Sequence, residues 1–212
     1  MAGNLYVTRD NIQEKVQGWL GSLPVRRKWD TVPNWSNSAL LVIDMQNVFV
    51  HPDSPSYLPG AQAVAPNINR LAEEFYGNDS SIIYTRHVQE EGDEGVMDEW
   101  WGDIIREGKQ AELWDGLSVM GDVITKPRYS AFHRTELDHM LTGVENLFIT
   151  GVLTDICCET TARHGFVKDY RVFVVADGCA TVTEELHTSS LASLSYGFAE
   201  ILSWREVLQR LR

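Results

Sequence analysis

Ala39-Leu40-Leu41-Val42-Ile43-Asp44 is an unbroken apolar run that ends at a carboxylate. The run shows no alternation of polar and apolar residues, which is typical of a strand buried on both faces of a parallel sheet. Five further apolar segments follow, separated by stretches of helical period; these predicted strands are 81–85, 123–125, 147–150, 171–176 and 198–202. Strands that alternate with helices indicate βαβ units. The sequence therefore predicts a three-layer α/β domain with a parallel sheet, its strand order following the analogy of doubly wound sheets.

The helical segments carry start and stop signals. Asp10 and Thr135 are candidate N-caps, Pro66 suits a first helical turn, and Gly77 suits a helix end. The predicted helices are 11–20, 66–77, 97–101, 135–141, 155–168, 183–196 and a last one that follows residue 202 to the C-terminus. This pattern predicts an N-terminal helix and irregular arm over residues 1–36 and a main domain over 37–212.

Composition limits the class of partner. The chain has 212 residues with 18 basic and 30 acidic side chains, a net charge of -12, which disfavours both nucleic acid and anionic membranes. No apolar stretch is long enough for a membrane span, and the N-terminal residues lack the apolar core of a signal peptide. The three cysteines, two of them adjacent, indicate reduced thiols rather than a disulfide framework. We therefore expect a cytoplasmic protein, and composition alone names no partner.

The residues that directly follow the strands are the candidates for chemistry, because ligands of open parallel sheets bind beyond the carboxyl ends of the strands. They are Asp44 after the first strand, Arg86 and His87 after the second, Lys126 after the third, segment 151–158 after the fourth and Asp177 after the fifth. The set contains an acid, a base and a thiol.

Cys157 lies near the start of the helix that follows the fourth strand. Free N–H groups and the helix dipole at that position favour a thiolate and could stabilise an oxyanion. Asp44 could accept the thiol proton, and Lys126 could hold the resulting charge. The other interpretation is that Cys157 packs in the core, as Cys158 and Cys179 are expected to do, while Asp44 caps a loop and Lys126 is solvated.

Three blocks of sequence resemble the isochorismatase-like cysteine hydrolases. They are Leu40-Leu41-Val42-Ile43-Asp44-Met45-Gln46-Asn47, Lys126-Pro127-Arg128-Tyr129-Ser130-Ala131-Phe132, and the segment from Gly151 to Thr161, and the likeness spans about residues 39–202. The resemblance implies a Rossmann-like fold with a six-stranded parallel sheet flanked by helices. It also implies an Asp44–Lys126–Cys157 triad, a non-proline cis peptide near Val152-Leu153, and an oxyanion hole formed by the N–H groups of Leu153 and Cys157.

The resemblance leaves more than one activity open. Family members that cleave vinyl ethers have glycine where Cys157 stands, so the thiol favours a covalent route. The nicotinamidases of the family hold a metal through an Asp-x-His motif and a second histidine, whereas segment 51–60 offers only His51 and Asp53. We therefore expect metal-free hydrolysis of a C–N bond in an amide, ureido or N-carbamoyl compound. The alternatives are vinyl-ether hydrolysis, nicotinamide hydrolysis and a non-catalytic binding protein.

Further expectations concern the substrate and the assembly. The predicted substrate-binding residues are Gln46, Phe49, Arg86, His87, Trp101 and Tyr129. Gln46 and Phe49 should lie at the pocket mouth because they follow Asp44, while Arg86 could bind a substrate carboxylate or pair with the acidic run 90–98. No cofactor or metal is expected. The family and the apolar stripe of the first helix predict a homo-oligomer, either a dimer or a tetramer.

Overall fold

The structure is a computed structural model that describes residues 3–25, 28–93, 95–102 and 104–211. Within these residues, six strands form one parallel sheet: β1 (Ser38–Ile43), β2 (Ser81–His87), β3 (Asp122–Lys126), β4 (Asn146–Val152), β5 (Arg171–Ala180) and β6 (Ala199–Leu202). Their spatial order is β3-β2-β1-β4-β5-β6. The order reverses between β1 and β4, and at such a switch point the loops beyond the strand ends form a crevice. The predicted α/β class and the six-stranded parallel sheet are confirmed.

Eight helices flank the sheet within the described residues, and most connect successive strands. They are α1 (Ile12–Gly21), α2 (Asn47–Val50), α3 (Pro59–Gly77), α4 (Val96–Trp101), α5 (Leu137–Met140), α6 (Glu159–Val167), α7 (Glu184–Gly197) and α8 (Trp204–Arg210). The helix expected to open at Thr183 begins one residue later, and Thr183 is its N-cap, since the Thr183 hydroxyl accepts the N–H of Leu186. No described helix combines the length and apolar character that a membrane span needs. Positions 26, 27, 94, 103 and 212, which fall within the predicted arm, the acidic segment and the last helix, lie outside the described residues.

The core lies on both faces of the central strands. Every residue of β1 and β4 is buried, as the unbroken apolar run predicted. Phe148 stacks on Phe173 with 4.6 Å between ring centroids, and Phe75 of α3 meets Phe148 edge-on at 5.6 Å. These contacts join β4 and β5 to α3, which packs across them.

The apolar stripe of α1 belongs to this same core. Ile12, Val16, Trp19 and Leu20 are all buried. The expectation that this stripe is an exposed interface is therefore wrong, because the helix uses it to pack on its own domain. Its N-cap also differs from the expected Asp10. Asn11 takes that position, where its side chain accepts the N–H of Thr8.

Two other helices begin elsewhere than predicted. The helix expected to open at Pro66 begins at Pro59, whose missing N–H costs nothing in a first turn. Pro66 lies inside α3 and leaves the carbonyl of Gln62 without its helical donor, and the Nε of Arg9 bonds this carbonyl at 3.5 Å. Further along, Glu136 rather than Thr135 precedes α5.

β5 is longer than predicted, so Asp177 lies inside the strand and not at its carboxyl end. The strand continues past Asp177 to Ala180 after a register shift against β4 between Ile149 and Gly151. The carboxylate of Asp177 instead accepts the N–H of Trp204 at 2.7 Å. Asp177 therefore anchors the start of α8 and takes no part in the predicted cluster.

Candidate active site

Three strand ends converge at the switch point. Asp44 directly follows β1, Lys126 is the last residue of β3, and Cys157 lies in the turn after β4. β4 passes so close to β1 that a Cβ on Gly151 would lie 2.0 Å from the carbonyl oxygen of Ile43, so only glycine fits at this position. As expected from the sequence, these three side chains lie together.

Asp44 is held by a residue that the sequence analysis missed. The Thr85 hydroxyl donates to Asp44 Oδ1 at 2.6 Å, and Oγ1 of Thr85 accepts the backbone N–H of Asp44 at 3.1 Å. This clamp stabilises a left-handed backbone at Asp44, whose φ is 49°. The signal that could have revealed Thr85 is its place on β2, the strand that pairs with β1 next to Asp44.

The ammonium of Lys126 is the centre of the cluster. Its Nζ lies 2.7 Å from Asp44 Oδ2, 3.4 Å from Cys157 Sγ and 3.3 Å from His87 Nδ1, and it donates to the carbonyl of Arg128 at 3.0 Å. Lys126 and Asp44 have no solvent-exposed side-chain surface, and Cys157 is 4% exposed. Lysine has three donors and no acceptor, so the His87 Nδ1 atom accepts and the ring is neutral.

The electrostatics of the cluster differ from the sequence expectation in one respect. Burial raises the pKa of the Cys157 thiol to about 12, with Lys126 opposing and Asp44 reinforcing the rise. The helix start and Lys126 were expected to favour the thiolate, but desolvation and the adjacent carboxylate outweigh them. Burial alone would lower the pKa of Lys126, yet Asp44 and Cys157 reverse this and raise it. The unliganded site therefore holds a thiol beside a charged ammonium.

His87 is a neutral member of the same cluster. Burial and the charge of Lys126 lower its pKa to about 4. Asp44, His87 and Cys157 offer ligand atoms within 4.8 Å of one another, a spacing that could hold a metal ion. The same three side chains already surround the ammonium of Lys126, whose positive charge repels a cation there. The donor set fits the ammonium better than a metal.

The two residues of this chain that were compared with the nicotinamidase metal motif, His51 and Asp53, are not part of the cluster around Lys126. His51 and Asp53 lie 3.7 Å apart on the exposed loop between α2 and α3. Neither belongs to a group of three possible ligands among the residues that the structure describes. These residues do not fit a metal site.

The turn that carries Cys157 is a π-helical turn, Thr154–Cys158, which follows a cis peptide between Val152 and Leu153. The predicted cis bond is confirmed. The carbonyl of Leu153 accepts the N–H groups of Ile156 and Cys158, both at 3.1 Å, and these bonds step over Cys157. In an α-helix that carbonyl would have bonded the Cys157 N–H. Among the described residues, the π-turn therefore gives this carbonyl to the neighbouring N–H groups and not to the Cys157 N–H.

Residues of α7 and the residue that follows β5 hold this π-turn in place through hydrogen bonds. His187 bonds the hydroxyl of Thr154 at 2.9 Å, Ser190 bonds the carbonyl of Thr154 at 3.3 Å, and Thr181 bonds the carboxylate of Asp155. His187 is fully buried, and burial lowers its pKa to about 3. Three neutral side chains thus position the turn that carries Cys157.

Two of the predicted substrate residues make other contacts. Gln46 was expected at the pocket mouth but is fully buried, and its amide bonds the backbone of His87 and Ala111. Arg86 was expected to meet a substrate or the acidic run 90–98, yet it pairs with Glu107 through two hydrogen bonds of 2.9 and 3.3 Å. Both side chains therefore support the walls of the site rather than face its centre.

Of the predicted aromatic residues, Tyr129 lies beside His87 of the cluster. Tyr129 has its ring centroid 6.4 Å from that of His87, and its hydroxyl accepts the indole N–H of Trp101 at 2.8 Å. Phe49 is half-buried on α2 and packs on the core. The loop before α4 is attached nearby through Asp93, which pairs with Arg128 at 3.3 Å and Arg134 at 2.8 Å. The sequence analysis missed this clamp, because the two arginines and Asp93 are distant in the chain.

A thiol, a carboxylate and an ammonium lie buried together at the switch point of a parallel α/β sheet. These are groups that a hydrolase can use for covalent catalysis.

Residues 38–206 match the family described as Isochorismatase domain, and the chain belongs to this family. It is 35% identical over 188 residues to Nicotinamidase 3 of Arabidopsis thaliana, covering 83% of this chain and 91% of the relative. It is 34% identical over 178 residues to Enterobactin synthase component B of Escherichia coli K12, covering 81% and 62%.

A solved structure agrees with the fold. The cysteine hydrolase from Pseudomonas syringae pv. phaseolicola 1448A superposes with a TM-score of 0.82 at 28% identity, covering 89% of this chain and 97% of that one. The family predicted from the three sequence blocks is therefore confirmed.

Proposed function

We propose that this chain is a metal-independent cysteine hydrolase that cleaves a C–N bond in a small amide, ureido or N-carbamoyl compound through a thioester. One observation carries the proposal. The Sγ of Cys157 lies 3.4 Å from the ammonium of Lys126 and within 4.8 Å of a carboxylate oxygen of Asp44, with all three side chains buried. The names of the relatives, a nicotinamidase and a cysteine hydrolase, support amide chemistry at a thiol.

The first half-reaction forms the thioester. Asp44 accepts the Sγ proton of Cys157 as the sulfur attacks the substrate carbonyl, which explains how a thiol with a raised pKa can react. The N–H groups of Leu153 and Cys157 stabilise the resulting oxyanion. Asp44 then returns the proton to the nitrogen, the C–N bond breaks, and ammonia or an amine leaves.

The second half-reaction releases the acid. Asp44 removes a proton from a water molecule that attacks the thioester carbonyl, the C–S bond breaks, and the proton returns to Cys157. Lys126 balances the negative charge that moves between the carboxylate and the sulfur in both halves. Thr85 keeps Oδ1 of Asp44 fixed, so that Oδ2 faces the reacting groups.

The substrate contacts that we propose are His87, Tyr129 and Trp101, which lie in a chain of contacts leading from Lys126 outward. Phe49 contributes an apolar edge, while Gln46 and Arg86 hold the walls. This arrangement suits a small, planar, polar substrate. We also propose that the protein is cytoplasmic, that it forms a dimer or tetramer, and that residues 37–212 constitute the catalytic domain with residues 1–36 as its N-terminal extension.

Nicotinamide hydrolysis is the second candidate, favoured by the 35% identity to Nicotinamidase 3. The test is ammonia release across ureides, N-carbamoyl acids and nicotinamide, with Cys157→Ala as the control. We expect release from at least one substrate and none from the variant. A vinyl-ether hydrolase would retain its activity on an isochorismate-like substrate in the variant, and a binding protein would release no ammonia from any compound. Either result would overturn the proposal.

A further inference from the structure

A cavity of about 400 Å³ lies between α1, α3 and α8. Its lining residues include three arginines, an indole and two side-chain amides, and none of the proposed catalytic residues; they are Arg9, Ile12, Gln13, Ala63, Pro66, Asn67, Arg70, Trp204 and Arg205. We call it the arginine pocket. It contains no aspartate or glutamate, although the chain has 30 acidic and 18 basic residues.

The arginines of this pocket differ from others in the chain. Six described arginines each bond a carboxylate: Arg86, Arg128, Arg134, Arg163, Arg171 and Arg210. Arg9, Arg70 and Arg205 make no ion pair with any residue that the structure describes. None of the three guanidinium groups is therefore neutralised by a direct ion pair with a described residue, although the chain as a whole is acidic.

Uncharged groups hold these guanidinium groups in place without neutralising them. Arg70 and Arg205 lie over the ring of Trp204, with 5.5 and 5.2 Å between each Cζ and the ring centroid. Arg9 donates to the Gln62 carbonyl that Pro66 has left without a helical donor. Stacking on an indole restrains an arginine but leaves its N–H donors free, so the pocket is organised for an anionic partner.

The wall of the pocket is also fixed from within. Asn67 donates to the carbonyl of Asp177 at 2.8 Å, and the carboxylate of Asp177 holds the N–H of Trp204. These two bonds tie α3 and α8 to β5, so the indole and the guanidinium groups share a rigid base. Ile12, Ala63 and Pro66 add an apolar floor.

We propose that the arginine pocket binds a small metabolite carrying two or more negative charges, as phosphate or carboxylate groups. Guanidinium groups bind both anions through paired N–H donors, and the volume suits a small ligand. The overall negative charge of the chain disfavours anions elsewhere on its surface. This site is separate from the proposed hydrolytic site and does not depend on the proposed activity.

The test is isothermal titration of the full-length protein with pyrophosphate and with citrate, at an ionic strength held constant with potassium chloride. We expect one site per chain with a Kd below about 1 mM, for pyrophosphate if the pocket takes phosphate groups and for citrate if it takes carboxylates. Arg70→Gln and Arg205→Gln should each weaken binding about tenfold, since each removes a charged donor.

Arg163→Gln is the matched control, because Arg163 is bound to Glu159 on α6 and does not line the pocket. It should leave the Kd unchanged. Thermal unfolding without ligand verifies that each variant is folded, which the exposure of Arg70 and Arg205 favours. The proposal is overturned if neither anion binds, or if Arg163→Gln weakens binding as much as the pocket variants do.

Discussion

The Nζ atom of Lys126 lies 2.7 Å from Oδ2 of Asp44, and neither side chain reaches solvent. A buried ion pair of this kind contributes little net stability, because desolvation offsets the attraction. Removing one partner leaves an uncompensated buried charge, which typically costs about 3–5 kcal/mol. The pair is therefore better explained by its contact with Cys157. Shielded from water, the Asp44 carboxylate could exchange a proton with the thiol while Lys126 balances the charge.

Asp44→Asn tests the carboxylate as the base. The variant should lose at least about 100-fold in kcat, since a positioned general base contributes about 10²–10⁴-fold. It should also unfold more easily, because Lys126 loses its counter-charge. Initial rates of ammonia release and thermal unfolding measure the two effects. Glu107→Gln, which breaks the ion pair with Arg86, is the matched control and should keep most of the activity. An active Asp44→Asn enzyme would refute the role of Asp44.

The same variant should make Cys157 more reactive toward iodoacetamide. The carboxylate of Asp44 helps to raise the pKa of Cys157 to about 12, so removing its charge lowers that pKa and increases the thiolate fraction near pH 8. In the wild type, alkylation should rise about tenfold per pH unit between pH 7 and 9, without a plateau. Faster alkylation together with slower catalysis would separate thiol ionisation from proton transfer. A plateau in the wild type near pH 8 would contradict the raised pKa.

Stability should fall in acid because His187 is buried and neutral. Its pKa is lowered to about 3, so between pH 6.5 and 3 the unfolded chain binds a proton that the folded chain does not. The free energy of unfolding should therefore decrease as the pH falls through this range, by on the order of 3 kcal/mol at pH 4. Urea unfolding from pH 7 to 4 measures it. His187→Gln should flatten the dependence, whereas His139→Gln, at an exposed position, should retain it.

Asp177 should have the opposite pH dependence. Burial raises its pKa to about 7, and its Oδ2 has no hydrogen-bond partner among the described residues. The folded chain then retains a proton that the unfolded chain releases, so this group destabilises the fold as the pH rises from about 4 to 7. Asp177→Asn keeps an acceptor for the N–H of Trp204 and removes the buried charge. Its melting temperature should exceed that of the wild type at pH 8 by more than at pH 5; equal differences at both pH values would count against a raised pKa.

The strands and the grouping of Asp44, Lys126 and Cys157 could be predicted from the sequence because both depend on local patterns. The run 39–43 is apolar at every position since β1 is covered on both faces, and Asp44, Lys126 and Cys157 follow from the rule that sites lie at strand ends. The resemblance to a family added the cis bond, which no propensity would indicate.

The remaining features depend on contacts between distant residues. The clamp of Thr85 on Asp44 and the capture of Gln46 by the backbone of His87 require the register of β2 against β1. Asp177 appeared to end a strand because its charge interrupts the apolar run, yet β5 continues and buries it. The raised pKa of Cys157 was missed because the sequence reveals the helix start but not the depth of burial.

The most direct test of covalent attack by Cys157 is to look for the acyl-enzyme. The enzyme is quenched with acid during turnover of an ammonia-releasing substrate, and the mass of the protein is measured by mass spectrometry. We predict an acyl adduct on the peptide that contains Cys157, present in the wild type and in Cys158→Ala. Cys158 is the matched control because its buried thiol belongs to the next residue in the chain and donates to the carbonyl of Thr150 at 3.9 Å. Cys157→Ala should carry no adduct and release no ammonia. Turnover by Cys157→Ala at the rate of the wild type would contradict the mechanism.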